Sequence, residues 1–224
     1  MGALPEHKRI DNLSIVVQAG GESKRMGSDK ALVTFLGAPL IMRPIKRLYP
    51  LCSEMVITTN TPEQFGFLKS YVDGGRMHLA SDRINRRGAL TGIHTALSAA
   101  KLEYVGLVAC DMVFPSHELM RYLHDVLEET GADVAIPTTH NGYEPFHAVY
   151  RRETCLAAVE DALVGGMSKA TAWFPSVKVV GVGSDDIMRV NPRGGAFVNV
   201  NTPDELHELE QRILETGIPS AVED

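Results

Sequence analysis

Short apolar runs of strand length recur along this chain, and patterns typical of helices lie between them. The first run, Leu13–Val17, is rich in β-branched residues. Similar runs occupy residues 54–60, 77–82, 104–111, 133–138, 146–150, 177–182 and 196–201. Strands that are apolar at nearly every position are covered on both faces, as in a parallel sheet flanked by helices. This alternation predicts an α/β fold with a mostly parallel sheet.

Start and stop signals mark several of the intervening helices. Thr61 and Thr202 are each followed by proline and then by Glu or Gln two or three positions on, which is typical of a capped helix start. Ser116 is positioned to cap another helix, which Gly131 would end. Two more helices are predicted from apolar residues at helical spacing: Ile93, Leu97 and Ala100, and Ile41, Ile45 and Leu48. Ligands of such folds bind beyond the carboxyl ends of the strands, so residues directly after strands are the functional candidates.

Composition restricts the class of protein. The chain has 224 residues, 44% of them hydrophobic, which suits one domain with a sizeable core. We expect a flexible N-terminal arm over residues 1–12, a single domain over 13–216 and a C-terminal tail over 217–224. The net charge of −6 argues against binding to nucleic acid through non-specific contacts.

The expected location is the cytoplasm. Three widely spaced cysteines have no pairing or zinc-ligand pattern, which favours buried thiols in a reducing compartment. The N-terminal residues lack the apolar centre of a signal peptide, and no apolar stretch approaches the length needed to span a membrane.

The loop after the first strand combines glycines with cations. Gly20 and Gly21 let backbone N–H groups approach a ligand closely, and Arg25 and Lys30 supply positive charge. The spacing fits neither a Walker A loop nor the GxGxxG fingerprint. The loop is interpreted either as a phosphate-binding loop or as an ordinary surface turn with solvated charges.

Three further sites follow predicted strands. Asp111 is suited to Mg²⁺, which takes one or two carboxylates together with phosphate oxygens, although an Asx-turn or a helix entry is the alternative. Asn199 and Asn201 are two positions apart, so strand alternation would place both on one face, unless Asn201 simply helps to start the next helix. Asp82 begins an arginine-rich loop that either faces an anion or is a mobile basic loop.

These motifs, in this order, resemble the MobA-type nucleotidyltransferases, and specifically the molybdenum cofactor guanylyltransferases. The resemblance runs from about Leu13 to Leu209. It rests on five segments: "AGGESKRMGSDKAL", the "SD" followed by "GALTGIHTAL", "ACDM", "GYEPFHAVYRR" and "FVNVNTPDEL".

The resemblance implies a single-domain, Rossmann-like three-layer sandwich of the nucleotide-diphospho-sugar transferase type. It also implies transfer of GMP from GTP to molybdenum-bound molybdopterin, which yields the guanine dinucleotide cofactor and pyrophosphate, with Mg²⁺ as cofactor. Beyond GTP and molybdopterin, the implied partners are molybdoenzyme chaperones, and neither nucleic acid nor a membrane is expected.

Site residues follow from the same resemblance. It implies catalytic roles for Arg25, Lys30 and Asp111, with Asp111 also binding the metal. Asn199 and Asn201 would line the active site. The nucleotide would be held by the following residues: Gln18, Ala19, Gly20, Gly21, Lys30, Asn60, Asp82 and Asp111.

This sequence departs from the family pattern in three places. Gln18 stands where leucine is usual, Met112–Phe114 lacks the early proline that the family often has, and Lys169 lies where relatives carry arginines. Three alternatives therefore stay open: a molybdopterin cytidylyltransferase, another NTP transferase acting on a sugar or alcohol phosphate, and a non-catalytic nucleotide-binding relative.

Overall fold

A central eight-stranded sheet organises the molecule. The computed structural model describes residues 8–19, 29–81 and 88–216. The strands are β1 (Ile10–Gln18), β2 (Thr34–Phe35), β3 (Ala38–Pro39), β4 (Cys52–Thr58), β5 (Met77–Ala80), β6 (Tyr104–Ala109), β7 (Val134–Thr139), β8 (Gly142–Tyr143), β9 (His147–Arg151) and β10 (Val179–Val182). The helices are α1 (Met42–Leu48), α2 (Lys69–Asp73), α3 (Ala89–Ala99), α4 (His117–Thr130), α5 (Arg152–Val164), α6 (Ser184–Val190) and α7 (Pro203–Thr216).

The order of the strands confirms the predicted, mostly parallel sheet. It runs β10-β7-β9-β6-β1-β4-β5, with β8 paired to β7 and with β2 and β3 forming a separate hairpin. The pairs that β1 makes with β4 and β6 are parallel, whereas β9 lies antiparallel between β6 and β7. The connection from β7 to β9 is too short for a parallel crossover, which needs a dozen residues or more.

Helices cover both faces of this sheet. Within β1, Val16 packs into one core cluster with α3 and α5, whereas Ile15 and Val17 pack into another with α1 and α4. This division follows from the two-residue period of a strand. Within the described residues, no helix is both long and apolar enough to cross a membrane.

A third, smaller apolar cluster joins distant parts of the sequence. Phe35 and Leu40 of the β2–β3 hairpin contact Val113 and Phe114, and Leu206 and Ile213 of α7 complete the cluster. The hairpin turn is tight, because Leu36 and Gly37 have φ of 49° and 77°. The Leu36 amide donates to Oε1 of Glu210 at 2.5 Å, so α7 is bound to the hairpin.

Two predicted helix starts behave differently. At α7 the Glu205 amide donates to Oγ1 of Thr202 at 3.2 Å, which confirms the cap. The predicted cap at Thr61 is wrong, because its side chain makes no capping bond and the following segment, Pro62–Leu68, is a kinked 3₁₀ helix. The Thr61 hydroxyl instead donates to Oδ2 of Asp29 at 3.5 Å. The Thr61 side chain thus bonds to a residue distant in sequence and does not cap the segment that follows it.

The predicted strand over residues 196–201 is also wrong. Asn199 forms only an isolated antiparallel bridge with Met112. Gly194 and Gly195, at φ of 71° and 80°, turn the chain just before it, so the segment lies against the loop after β6 instead of joining the sheet. In contrast, β1 is longer than predicted and begins at Ile10, so the last residues of the predicted arm belong to the sheet.

Candidate active site

The carboxyl ends of three central strands meet at one edge of the sheet. Gln18, the last residue of β1, is in register with Thr58 of β4 and Ala109 of β6. Asp111 follows β6 by two residues, and Lys30 begins a short 3₁₀ turn on the far side of the loop after β1. This is the edge at which α/β proteins of this kind bind their ligands.

Lys30, Asp111 and Asn201 form a polar cluster at this edge. Nζ of Lys30 donates to Oδ2 of Asp111 at 2.7 Å and to Oδ1 of Asn201 at 3.1 Å. The side chains of Lys30 and Asp111 are 11% and 23% exposed, so the pair is shielded but reachable from solvent. Charge-assisted bonds of this length are among the stronger polar contacts in proteins. We refer to these three residues as the Lys30 cluster.

The turn that carries Lys30 is fixed at both ends. Oδ1 of Asp29 accepts the Ala31 amide at 3.1 Å and so caps the turn. The carbonyl of Ala31 accepts the Ile41 amide at 3.0 Å, which joins the turn to the residue preceding α1. The main chain of Lys30 is therefore held while its side chain extends to the cluster.

The main chain of residues 195–201, which we call the asparagine segment, is bound to the loop that carries Asp111. The Val200 amide donates to the Asp111 carbonyl at 3.3 Å, and the Val113 amide donates to the Val198 carbonyl at 3.2 Å. The Asn201 amide donates to Oε2 of Glu205 at 2.6 Å. Asn201 therefore does both things the sequence left open: its main chain belongs to the start of α7, and its side chain contacts Lys30.

Asn199 and Asn60 are exposed at the same edge. Asn199 bridges Met112 through its main chain, and Asn60 comes two residues after β4. The strand alternation expected for the two asparagines is absent because their segment is not a strand, and it is Asn201 that contacts Lys30.

Gln18 and Ala19, both predicted to hold the nucleotide, have main-chain groups that are already bonded within the protein. The Gln18 carbonyl accepts the Cys110 amide at 3.0 Å, and the Ala19 amide donates to the Thr58 carbonyl at 2.9 Å. The Gln18 side chain lies against the first turn of α3, where a Cβ on Gly92 would come within 1.9 Å of Gln18 Nε2. A ligand would therefore have to use the other polar atoms of this pair.

Four predicted site residues lie outside the described residues, namely Gly20, Gly21, Arg25 and Asp82. Among the predicted site residues that the structure describes, Asp111 offers a carboxylate suited to a cation. Within the described ranges, no group of three or more His, Cys, Asp or Glu side chains is arranged to hold a metal ion.

Cys110 and His147 are two buried, titratable residues near this edge of the sheet. Burial raises the pKa of the Cys110 thiol to about 12, and the neighbouring Asp111 acts in the same direction, so this cysteine stays protonated and is a poor nucleophile. His147 is completely buried and donates to the Ala196 carbonyl. No spacing pattern in the sequence points to the contact of His147 with the asparagine segment.

Comparison with known proteins gives a consistent result. The family described as MobA-like NTP transferase domain matches residues 15–177. A protein of Natranaerobius thermophilus named "Probable molybdenum cofactor guanylyltransferase" is 30% identical over 208 residues, which cover 92% of this chain and 98% of that protein. A protein of Pelotomaculum thermopropionicum with the same name is 35% identical over 193 residues, which cover 85% of this chain and 88% of that protein.

Similarity in structure agrees with similarity in sequence. The crystal structure of molybdopterin-guanine dinucleotide biosynthesis protein A from Archaeoglobus fulgidus matches with a TM-score of 0.75 and 26% identity, over 90% of this chain and 99% of that chain. The fold is the predicted single-domain α/β sandwich of the nucleotide-diphospho-sugar transferase type. The chain thus belongs to the family of MobA-like NTP transferase domains.

Proposed function

We propose that this chain transfers GMP from GTP to molybdenum-bound molybdopterin, giving the guanine dinucleotide cofactor and pyrophosphate. The observation that carries the proposal is the name molybdenum cofactor guanylyltransferase, borne by relatives that align over 92% and 85% of this chain. Lys30 and Asp111 stand together at the ligand-binding edge of the sheet, as a nucleotidyltransferase needs.

The reaction requires electrostatic stabilisation and does not require a general base. The terminal phosphate of molybdopterin attacks the α-phosphorus of GTP, a new P–O bond forms, and the bond from the α-phosphorus to the oxygen bridging the β-phosphate breaks as pyrophosphate leaves. The attacking phosphate is already an anion near neutral pH, so no proton has to be removed from it. The obstacles are repulsion between two anions and their alignment, which a protein overcomes by positioning and by charge.

Lys30 is the described residue best suited to this task. Its ammonium group is preorganised by Asp111 and Asn201 at 2.7 and 3.1 Å, so little reorganisation is needed when a phosphate arrives. We assign to Lys30 and Arg25 the role of stabilising the negative charge that builds on the leaving pyrophosphate. The nucleotide-binding role extends to Gln18, Ala19, Gly20, Gly21, Asn60, Asp82 and Asp111, with Asn199 and Asn201 lining the site.

Mg²⁺ fits this site only together with the substrate. Asp111 offers a single carboxylate, and its Oδ2 already accepts a hydrogen bond from Lys30. Because Mg²⁺ commonly takes one or two carboxylates and completes its shell with phosphate oxygens and water, Asp111 is sufficient once a triphosphate is bound. When bound, the ion neutralises phosphate charge.

We propose that the predicted domain 13–216, together with the first residues of β1 from Ile10, acts as one catalytic unit, followed by the tail 217–224, and that the protein works in the cytoplasm. The three free, buried cysteines suit a reducing compartment. Delivery of the product through molybdoenzyme chaperones is part of the same proposal.

Release of pyrophosphate tests the function. The purified protein is incubated with Mg²⁺ and GTP, CTP or ATP, with and without molybdenum-bound molybdopterin. We expect release only with GTP and only when molybdopterin is present. Release with CTP in place of GTP would assign the cytidylyl reaction, and the absence of release with every nucleotide would leave a binding protein.

A further inference from the structure

His147 lies directly beneath the asparagine segment. It is the first residue of β9 and pairs with Val108 near the carboxyl end of β6, two residues before Cys110. Its side chain is completely buried. Its ring Nδ1 lies 3.3 Å from the Ala196 carbonyl, and its ring packs edge-on against Phe197 with centroids 5.4 Å apart.

The proton of this ring can be assigned. A carbonyl oxygen only accepts hydrogen bonds, so the nitrogen that contacts Ala196, Nδ1, carries the hydrogen. Nε2 has no hydrogen-bond partner among the described residues. Burial lowers the pKa of His147 to about 4, although the backbones of Ala196 and Ser116 act in the opposite direction, so the ring is neutral at pH 7.

The asparagine segment is held by the buried side chains of Ala196 and Val200 and by a small number of main-chain bonds. It is not part of the sheet, and its main chain is joined to the Asp111 loop by an isolated bridge, whose two hydrogen bonds are 3.2 and 3.3 Å long. The segment follows Gly194 and begins at Gly195, and both glycines have a left-handed conformation. Its far end, Asn201, contacts Lys30 at 3.1 Å. A displacement at Ala196 would therefore be transmitted toward the Lys30 cluster.

We propose that His147 is a positioning residue, whose Nδ1–H holds Ala196 and thereby keeps Asn199 and Asn201 in place beside the Lys30–Asp111 pair. Its consequence for catalysis rests on the proposed guanylyl transfer. The structural part of the claim does not, because it concerns only how firmly the asparagine segment is held.

Three substitutions separate the hydrogen bond from packing. His147→Phe keeps an aromatic ring against Phe197 and removes the donor. His147→Asn places an amide nitrogen near the position of Nδ1, whereas His147→Gln places one near that of Nε2. His94→Phe is the matched control, because His94 is also buried but contacts Glu160 on α5 at 3.4 Å, away from the asparagine segment.

Hydrogen exchange of the full-length protein without substrate is the first measurement. The amides of Val198 and Val200 donate to the Gly195 and Asp111 carbonyls and report on the segment, while the amide of Val16 in β1 reports on global opening. Relative to Val16, we expect exchange at Val198 and Val200 to be about tenfold faster in His147→Phe, the loss expected when a buried carbonyl loses its donor. We expect His147→Asn to restore protection and His147→Gln to leave both amides unprotected, whereas His94→Phe should exchange like the unaltered protein.

Turnover of GTP is the second measurement. In His147→Phe we expect kcat to fall by about tenfold, with rescue by His147→Asn. Unchanged protection in His147→Phe, or rescue by His147→Gln in place of His147→Asn, would overturn the proposal. If the unaltered protein shows no guanylyl transfer while the exchange pattern holds, the proposed function fails and the positioning role stands.

Discussion

Lys30 and Asp111 are far apart in the chain, yet their side chains meet at 2.7 Å. The sequence predicted both as site residues, Asp111 because it ends an apolar run and Lys30 because it is a cation of the glycine loop, and the family resemblance implied catalytic roles for both. The resemblance implied that Asn201 lines the site, but the sequence did not predict its contact with Lys30, since Asn201 was expected on a strand or at the start of a helix. The ends of strands can be recognised from the sequence pattern, whereas a contact between two loops depends on the complete fold.

The ammonium group of Lys30 is the residue-scale feature with the clearest functional consequence. We expect Lys30→Ala to lower kcat by roughly 10²- to 10³-fold, as removal of one preorganised electrostatic donor does in other enzymes. Steady-state release of pyrophosphate from GTP is the measurement. Lys69→Ala is the control, because Lys69 is 80% exposed and its ion pair among the described residues is with Asp73 on the same helix. Near-normal turnover in Lys30→Ala would remove this lysine from the mechanism.

The neutral, buried ring of His147 should make stability depend on pH. Its pKa of about 4 in the folded protein lies below the usual value of 6.5, so the unfolded chain binds the proton more readily. The stabilisation is thus fully present above pH 6.5 and is lost as pH falls toward 4. The difference corresponds to about 3 kcal/mol of unfolding free energy.

Urea unfolding from pH 7 to pH 4 measures this dependence. We expect the unfolding free energy of His147→Asn to fall less steeply with acidification, because asparagine does not titrate and all other groups are unchanged. Equal slopes for the two proteins would show that this histidine is not buried as a neutral ring.

At the scale of elements, the sequence predicted features set by neighbouring residues and missed features that depend on long-range contacts. The predicted cap and end of α4 are confirmed: the Leu119 amide donates to Oγ of Ser116 at 3.1 Å, and Gly131 ends the helix in a left-handed conformation. Both are properties of a few neighbouring residues. The antiparallel insertion of β9 and the side chain of Thr61 bonded to Asp29 depend on distant partners, which no local pattern contains.

Gly106 marks the closest approach between β6 and its neighbours. A Cβ at this position would lie 2.5 Å from Cδ1 of Ile15 and 2.8 Å from Sδ of Met120. We expect Gly106→Ala to lower the unfolding free energy by about 1–3 kcal/mol through overpacking between β1, β6 and α4. The midpoint of urea denaturation reports the change.

A matched glycine calibrates this result. Gly66 is exposed, and a Cβ there would meet nothing within 4 Å, so Gly66→Ala should change stability by no more than about 0.5 kcal/mol. Equal effects of the two substitutions would mean that the core around Gly106 adapts without cost.

At the scale of the whole molecule, the reduced thiols are protected by the fold. Cys52, Cys110 and Cys155 are all free and buried. Burial raises the pKa values of Cys52 and Cys110 to about 12 and that of Cys155 further above its ordinary range. We expect no rapid reaction with a thiol reagent in the native protein and reaction of all three after denaturation. A fast-reacting native thiol, seen in a stopped-flow titration, would contradict this burial.

The Lys30 cluster draws on an early, a middle and a late part of the chain, and α7 secures the late part against the β2–β3 hairpin. A ribosome adds these parts in order. A nascent polypeptide that already contains Lys30 and Asp111 still lacks Asn201 and the helix beside it. On the proposed function, capture of GTP therefore waits until translation has passed α7, which keeps unfinished chains from withdrawing nucleotide or molybdopterin from the cell.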